Sequence, residues 1–116
     1  PIVMKRKLSK AGATDKAVVI PIPEIESEIR EMVKVLKPLG PTNFQFRLDG
    51  DQFLLLEINP RISSSTSIRT AFGYNEAEMC IDYFVEGIRP VDVELKTGRA
   101  YRYIADAVEY DDCNNI

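Results

Sequence analysis

Residues 43–61 read NFQFRLDGDQFLLLEINPR, and the organisation of the chain unfolds from this stretch. Two β-prone runs, 43–48 and 53–59, flank Asp49-Gly50-Asp51-Gln52, a hairpin signal. In the first run Phe44, Phe46 and Leu48 alternate with Gln45, Arg47 and Asp49; in the second Leu54, Leu56 and Ile58 alternate with Phe53, Leu55, Glu57 and Asn59. Side chains alternate faces along a strand, so burying the two sets Phe44/Phe46/Leu48 and Leu54/Leu56/Ile58 together requires opposed residue numbers with an even sum. That register predicts a loop with an odd number of residues and places Gln45, Glu57 and Asn59 together on the opposite face. Asn59-Pro60 ends the second strand, because proline cannot donate to a ladder.

Upstream, residues 2–8 and 16–22 read as strands joined by a flexible Ala11-Gly12-Ala13 connection. Pro21 and Pro23 close the second of these, and Pro23 suits the first position of a helix. Ile25, Ile29, Met32, Val33 and Leu36 form one apolar stripe along that helix, with glutamates in its first turns and lysines in its last. Pro38 and Gly40 stop it. Downstream, residues 63–67 form a polar turn, a short helix spans about 66–72, and Gly73 caps it. Asn75, with Glu78 three residues on, opens a further helix whose core stripe is Ala77, Cys80, Ile81, Phe84 and Val85. Residues 99–108 supply a last strand, with Tyr101 and Tyr103 in the core or at an interface, and 109–116 make a frayed tail. The fold expected is α+β, a single domain over 1–116: a mostly antiparallel sheet of four or five strands with the two longer helices on one face.

Composition narrows the chemistry. The 116 residues contain no histidine, which excludes a Ser-His-Asp triad and histidine-bound zinc within the chain. Cys80 and Cys113 are too few for a disulfide framework, in keeping with a reducing, cytoplasmic setting. Cys80 lies on an apolar stripe and reads as an inert core thiol. The net charge of −3 argues against nucleic acid as a partner, and no apolar run is long enough to span a membrane. Yet residues 1–16 hold Lys5, Arg6, Lys7, Lys10 and Lys16 against Asp15 alone, a solvated or phosphate-facing strand pair. The opening Pro1, where a methionine would start a complete chain, leads us to expect a piece of something longer.

The chemistry-bearing group is Glu57-Ile58-Asn59-Pro60-Arg61 with Gln45. One carboxylate and two amide oxygens make a hard donor set suited to Mg²⁺ or Mn²⁺, which complete their shells with water and phosphate oxygens. Arg61 adds a planar fork matched to phosphate. Spacing alone admits a second reading, in which Glu57 and Arg61 are a surface ion pair at a solvated strand end.

Gln45, the Glu57–Arg61 run, the Ser/Thr-rich turn and Gly73-Tyr74-Asn75 together resemble the C-terminal half of an ATP-grasp domain, in the style of the carbamoyl-phosphate synthetase large subunit. The likeness covers roughly residues 5–87 and extends to Arg6 and Lys16 on either side of Gly12. It implies Glu57 as a carboxylate bridging two magnesium ions, Asn59 and Gln45 as further ligands, Arg61 as a catalytic phosphate contact, and Arg6 and Lys16 as accessory triphosphate contacts. It implies ATP and magnesium as cofactors, and a small carboxylate and an amine-type nucleophile as substrates; the sequence leaves a homo-oligomer open. The adenine pocket and glycine-rich loop of such a domain belong to an N-terminal half that would precede Pro1. Ser64 stands where synthetase-type relatives often carry arginine, so substrate handling is expected to differ. The rival reading is a non-catalytic binding or assembly module that keeps the half-fold.

Overall fold

The computed structural model describes residues 1–108. β1 (Met4–Leu8) and β2 (Thr14–Val19) pair antiparallel, and β5 (Gly98–Tyr101) adds to the other edge of β2 to complete a three-stranded sheet. β3 (Asn43–Asp49) and β4 (Gln52–Asn59) form a separate two-stranded sheet. Between the sheets in sequence lies α1 (Pro23–Leu36), and α2 (Thr66–Ala71) and α3 (Glu76–Phe84) follow the hairpin. The expected α+β class with antiparallel strands is present, its five strands divided three and two.

Local chemistry accounts for the helix limits. Pro23 occupies the first turn of α1 with Glu24 and Glu26 beside it, and Lys37 at φ 45° turns the chain out, its N–H donating to Val33 O at 2.9 Å. Asn75 caps α3 by accepting from the Glu78 N–H at 3.3 Å. At the end of α2, Gly73 has φ 92°, and a Cβ there would stand 2.7 Å from Glu94 O, so glycine allows the irregular segment before β5 to pass close.

The hairpin differs from the expected parity in an informative way. Its loop is Gly50-Asp51, an even two-residue turn with φ 58° at the glycine, in the pattern of a type II′ turn. From Asp49↔Gln52 to Phe46↔Leu55 opposed numbers sum to an odd value. A bulge at Leu56 then restores the even register, giving Gln45↔Glu57, Phe44↔Ile58 and Asn43↔Asn59. The bulge therefore exchanges the faces of β4 near the turn. Phe53, with Phe46, packs against the core, and Leu56 is left 63% exposed.

The buried apolar residues are Val3, Ala17, Val19, Ile22, Ile25 and Ile68; Val3, Ile22 and Ile25 cluster together, flanked by Ile20, Ile29, Phe46 and Phe53. The stripe of α1 is covered only over its first half, since Val33 and Leu36 are exposed. In α3 the expected core residues Ile81, Phe84 and Val85 are also exposed. Neither Tyr101 nor Tyr103 is buried, because β5 stops at Tyr101 after one further backbone bond, Arg102 N–H to Asp15 O at 2.8 Å. The radius of gyration, 17.6 Å, exceeds the about 13 Å of a compact chain this long. The expected frayed tail lies outside the described residues.

Candidate functional site

β3 and β4 bring Gln45 and Glu57 into direct opposition, and Gln45 Nε2 donates to Glu57 Oε2 at 2.7 Å. Asn59, two residues on, shares that face and stands opposite the buried Asn43. From the other sheet Arg6 reaches across, its Nη2 donating to Gln45 Oε1. The Gln45 amide thus joins a guanidinium to a carboxylate, with each of its ends hydrogen-bonded. Three of the sequence-identified residues, Arg6, Gln45 and Glu57, are in one hydrogen-bonded line, and Asn59 adjoins it.

Arg61 follows at once. Its N–H donates to Asn59 O at 2.9 Å around Pro60, while its exposed side chain makes one long bond, from Nη1 to Ile62 O at 3.3 Å. It does not pair with Glu57. Among the described residues the ion pairs are Lys34–Glu31 and Arg69–Glu76. Glu57 therefore keeps its carboxylate exposed, with the neutral Gln45 amide as its partner.

Lys16 is placed apart from these. Arg6 opposes Ala17 and Lys16 opposes Lys7, so Arg6 and Lys16 project from opposite faces of the β1–β2 pair. Lys16 Nζ lies 5.6 Å from the Tyr101 ring centroid.

The structure adds a buried polar cluster that pattern reading missed. Arg69 of α2 donates through Nη2 to Asn43 Oδ1 at 2.5 Å and through Nη1 to Glu76 Oε1. Arg69 and Glu76 are 8% and 4% exposed, which is rare for charged residues unless paired. Tyr74 sits beside them. Burial, reinforced by the Glu76 carboxylate and opposed by Arg69, holds its phenol above the ordinary value. The cluster ties α2 and α3 to the strand position opposite Asn59. A second buried contact, Thr14 Oγ1 to Ser65 Oγ at 2.8 Å, ties β2 to the turn after Arg61, and Arg102 Nη2 donates to Ser64 O at 3.2 Å. The Ser63–Ser65 turn has Ser63 and Ser65 buried, with Ser65 N–H donating to Ser63 Oγ at 3.2 Å. Arg69 carried no signal beyond being a charge on a six-residue helix, and Glu76 read as an ordinary first-turn acid.

Two clefts meet at Asn43 and Arg69. One, about 320 Å³, lies between β1, α1 and β3 and includes Arg6 and Gln45. The other, about 790 Å³, runs between the end of α1 and α3 past Tyr74, Cys80 and Phe84.

Glu57 offers oxygen as it stands, whereas Gln45 would have to turn its amide over to do so, since its Oε1 accepts from Arg6 and its Nε2 faces Glu57. Among the described residues no three His, Cys, Asp or Glu side chains converge, so a cation here would take one carboxylate, amide oxygens and oxygens of a bound anion. Asn59 Nδ2 is buried with no partner among the described residues, so turning this amide to offer Oδ1 forfeits no hydrogen bond.

The α+β fold with antiparallel sheets is consistent with an ATP-grasp subdomain. Residues 2–107 match the family described as ATP-grasp in the biosynthetic pathway with Ter operon, and the chain belongs to that family. Comparison with curated proteins and with solved structures finds no match.

Proposed function

We propose that this chain is the metal- and phosphate-binding half of an ATP-dependent carboxylate ligase, similar in its catalytic end to the carbamoyl-phosphate synthetase large subunit. The observation that supports this reading is the state of Glu57: an exposed carboxylate whose one partner among the described residues is a neutral amide, beside Asn59 and in line with Arg6. Glu57, Asn59 and Gln45 would hold magnesium, which when bound offsets the charge of the nucleotide phosphates. Turning the Gln45 amide over would present Oε1 on the Glu57 side and release Arg6 toward phosphate. Arg61, with no carboxylate partner among the described residues, would fork onto the transferred phosphoryl group. Lys16 would reach phosphate only from the far face of its sheet.

In this reading a substrate carboxylate oxygen attacks the γ-phosphorus of ATP, forming an acyl phosphate and releasing ADP. An amine then attacks the acyl carbon and phosphate leaves. Such transfer depends on positioning and charge stabilisation, which these residues provide without a protein nucleophile. In this reading the adenine-binding half of the clamp would be supplied by other residues.

The test is Glu57→Gln in a polypeptide carrying the whole clamp. Steady-state ATP turnover is expected to fall at least about 10²-fold, as for a reacting group displaced by about 1 Å. The melting temperature of the apo protein should hardly move, since an exposed carboxylate bonded to one amide adds little stability. Near-normal turnover, or a melting temperature that drops with the activity, would make Glu57 structural.

A further inference from the structure

Lys16 was the one site residue that the geometry separated from the rest, and its surroundings form a site of their own. Strict alternation in the three-stranded sheet puts Met4, Arg6, Ala17, Val19, Gly98 and Ala100 on one face. The other face carries Lys5, Lys7, Lys16, Val18, Arg99 and Tyr101. Cross-strand rows are Lys7–Lys16–Tyr101 and Lys5–Val18–Arg99. Four of the six positions are cations and none is an acid, in a chain whose net charge is −3. All four cations are exposed, and none has an acidic partner within 4 Å among the described residues.

Like charges directly opposite in a ladder repel, so the Lys7–Lys16 pair works against the sheet unless an anion lies between them. Tyr101 holds the Lys16 amine over its ring, keeping that charge on the face. The arrangement is too concentrated to be the byproduct of a generally basic surface.

We infer that this face is a second anion site, distinct from the Glu57 face, which takes a compact polyphosphate group. Size decides the class of ligand. Two rows about 7 Å apart across three strands give a patch of about 7 by 10 Å. That is room for two or three linked phosphates. Single-stranded nucleic acid occupies about 4–16 nucleotides on a sheet platform and normally uses several stacking aromatics, whereas this face has one, already engaged by Lys16. Lysine and arginine contribute charge-assisted hydrogen bonds to phosphate oxygens, and no metal is needed because the protein supplies the positive charge. The polyphosphate can be free or the tail of a nucleotide; both present the same oxygens.

The experiment titrates the 116-residue chain with pyrophosphate and, separately, with ADP, both in EDTA at low ionic strength, following backbone amide shifts. Shifts centred on Lys5, Lys7, Lys16, Arg99 and Tyr101, weakening as salt is raised, are expected. Lys7→Gln/Lys16→Gln should lower affinity by at least about tenfold, the loss of two charged donors. Glu31→Gln, on α1 and outside both faces, should leave it unchanged, and the EDTA keeps this result separate from the metal-dependent ligase reading. Equal binding of the two probes identifies the phosphates alone as the ligand; tighter ADP binding with a larger Tyr101 shift identifies a nucleotide tail. Absence of shifts on this face, equal affinity in the double lysine variant, or tighter binding of a single-stranded oligonucleotide or of anionic phospholipid vesicles would overturn the assignment.

Discussion

Gln45 and Glu57 stand directly opposite each other across β3 and β4, 2.7 Å apart at Nε2 and Oε2, although every pair nearer the turn is one residue out of step with them. The irregularity at Leu56 brings this pair into step, together with Phe44–Ile58 and Asn43–Asn59 beyond it. The bulge leaves Leu56 unpaired, and beyond it the two strands run in step through Asn43 and Asn59.

Asn59→Ala should lower ATP turnover of the whole clamp less than Glu57→Gln does, and raising magnesium should recover it. A neutral ligand is lost while the carboxylate still attracts the cation, so mass action restores occupancy. Turnover against magnesium concentration reads this directly. Failure of Asn59→Ala to recover, with full recovery of Glu57→Gln, would reverse the two roles.

Arg69→Met should be strongly destabilising, by about 3–5 kcal/mol, because it leaves Glu76 charged and buried without its partner. Arg69→Met/Glu76→Leu should regain most of that loss, since neither charge is then left alone. Urea unfolding of the four forms gives the coupling as a double-mutant cycle. Additive effects would mean that the pair does not act as a unit.

Tyr74 provides a pH readout of the same cluster. Its pKa is raised in the folded chain above the ordinary value of about 10, so the folded state holds the phenolic proton when the unfolded state has lost it. The associated stability is complete below pH 10 and falls as pH rises from there through the folded pKa. Tyr74→Phe should therefore show a shallower alkaline loss of melting temperature than the parent, with the phenolate absorbance of the parent rising late. Parallel alkaline profiles would place Tyr74 in ordinary solvent.

Much of this was readable from residue pattern, and the exceptions have physical causes. Pro23, Asn75 and Gly73 mark helix limits through local backbone chemistry, so their positions were legible. Parity correctly joined Gln45 to Glu57, but an odd loop and an even turn plus a bulge give the same outcome at that end, and sequence could not separate them. Arg69 and Glu76 meet from two different helices, a contact with no period to betray it. Lys16 could be put on a face only relative to Arg6, which requires the register of β1 on β2. The stripe of α3 is apolar in the expected places, but a stripe records what a helix can cover, and in residues 1–108 much of it is left open.

Because the bulge at Leu56 separates the hairpin into two registers, the length of its tip and the alignment of its chemical end are independent variables. Deleting Leu56 alone would leave four residues on each strand between the Gly50-Asp51 turn and the Gln45–Glu57 pair, so the ladder would become continuous with that opposition intact. One residue added to Gly50-Asp51 would lengthen the loop and can leave every pair as it is. The hairpin can therefore be spelled with or without the bulge and still place the same oxygens together. Anyone transplanting this element into another scaffold must move residues 43–45 with 57–61 as one unit, and is free to redesign the tip.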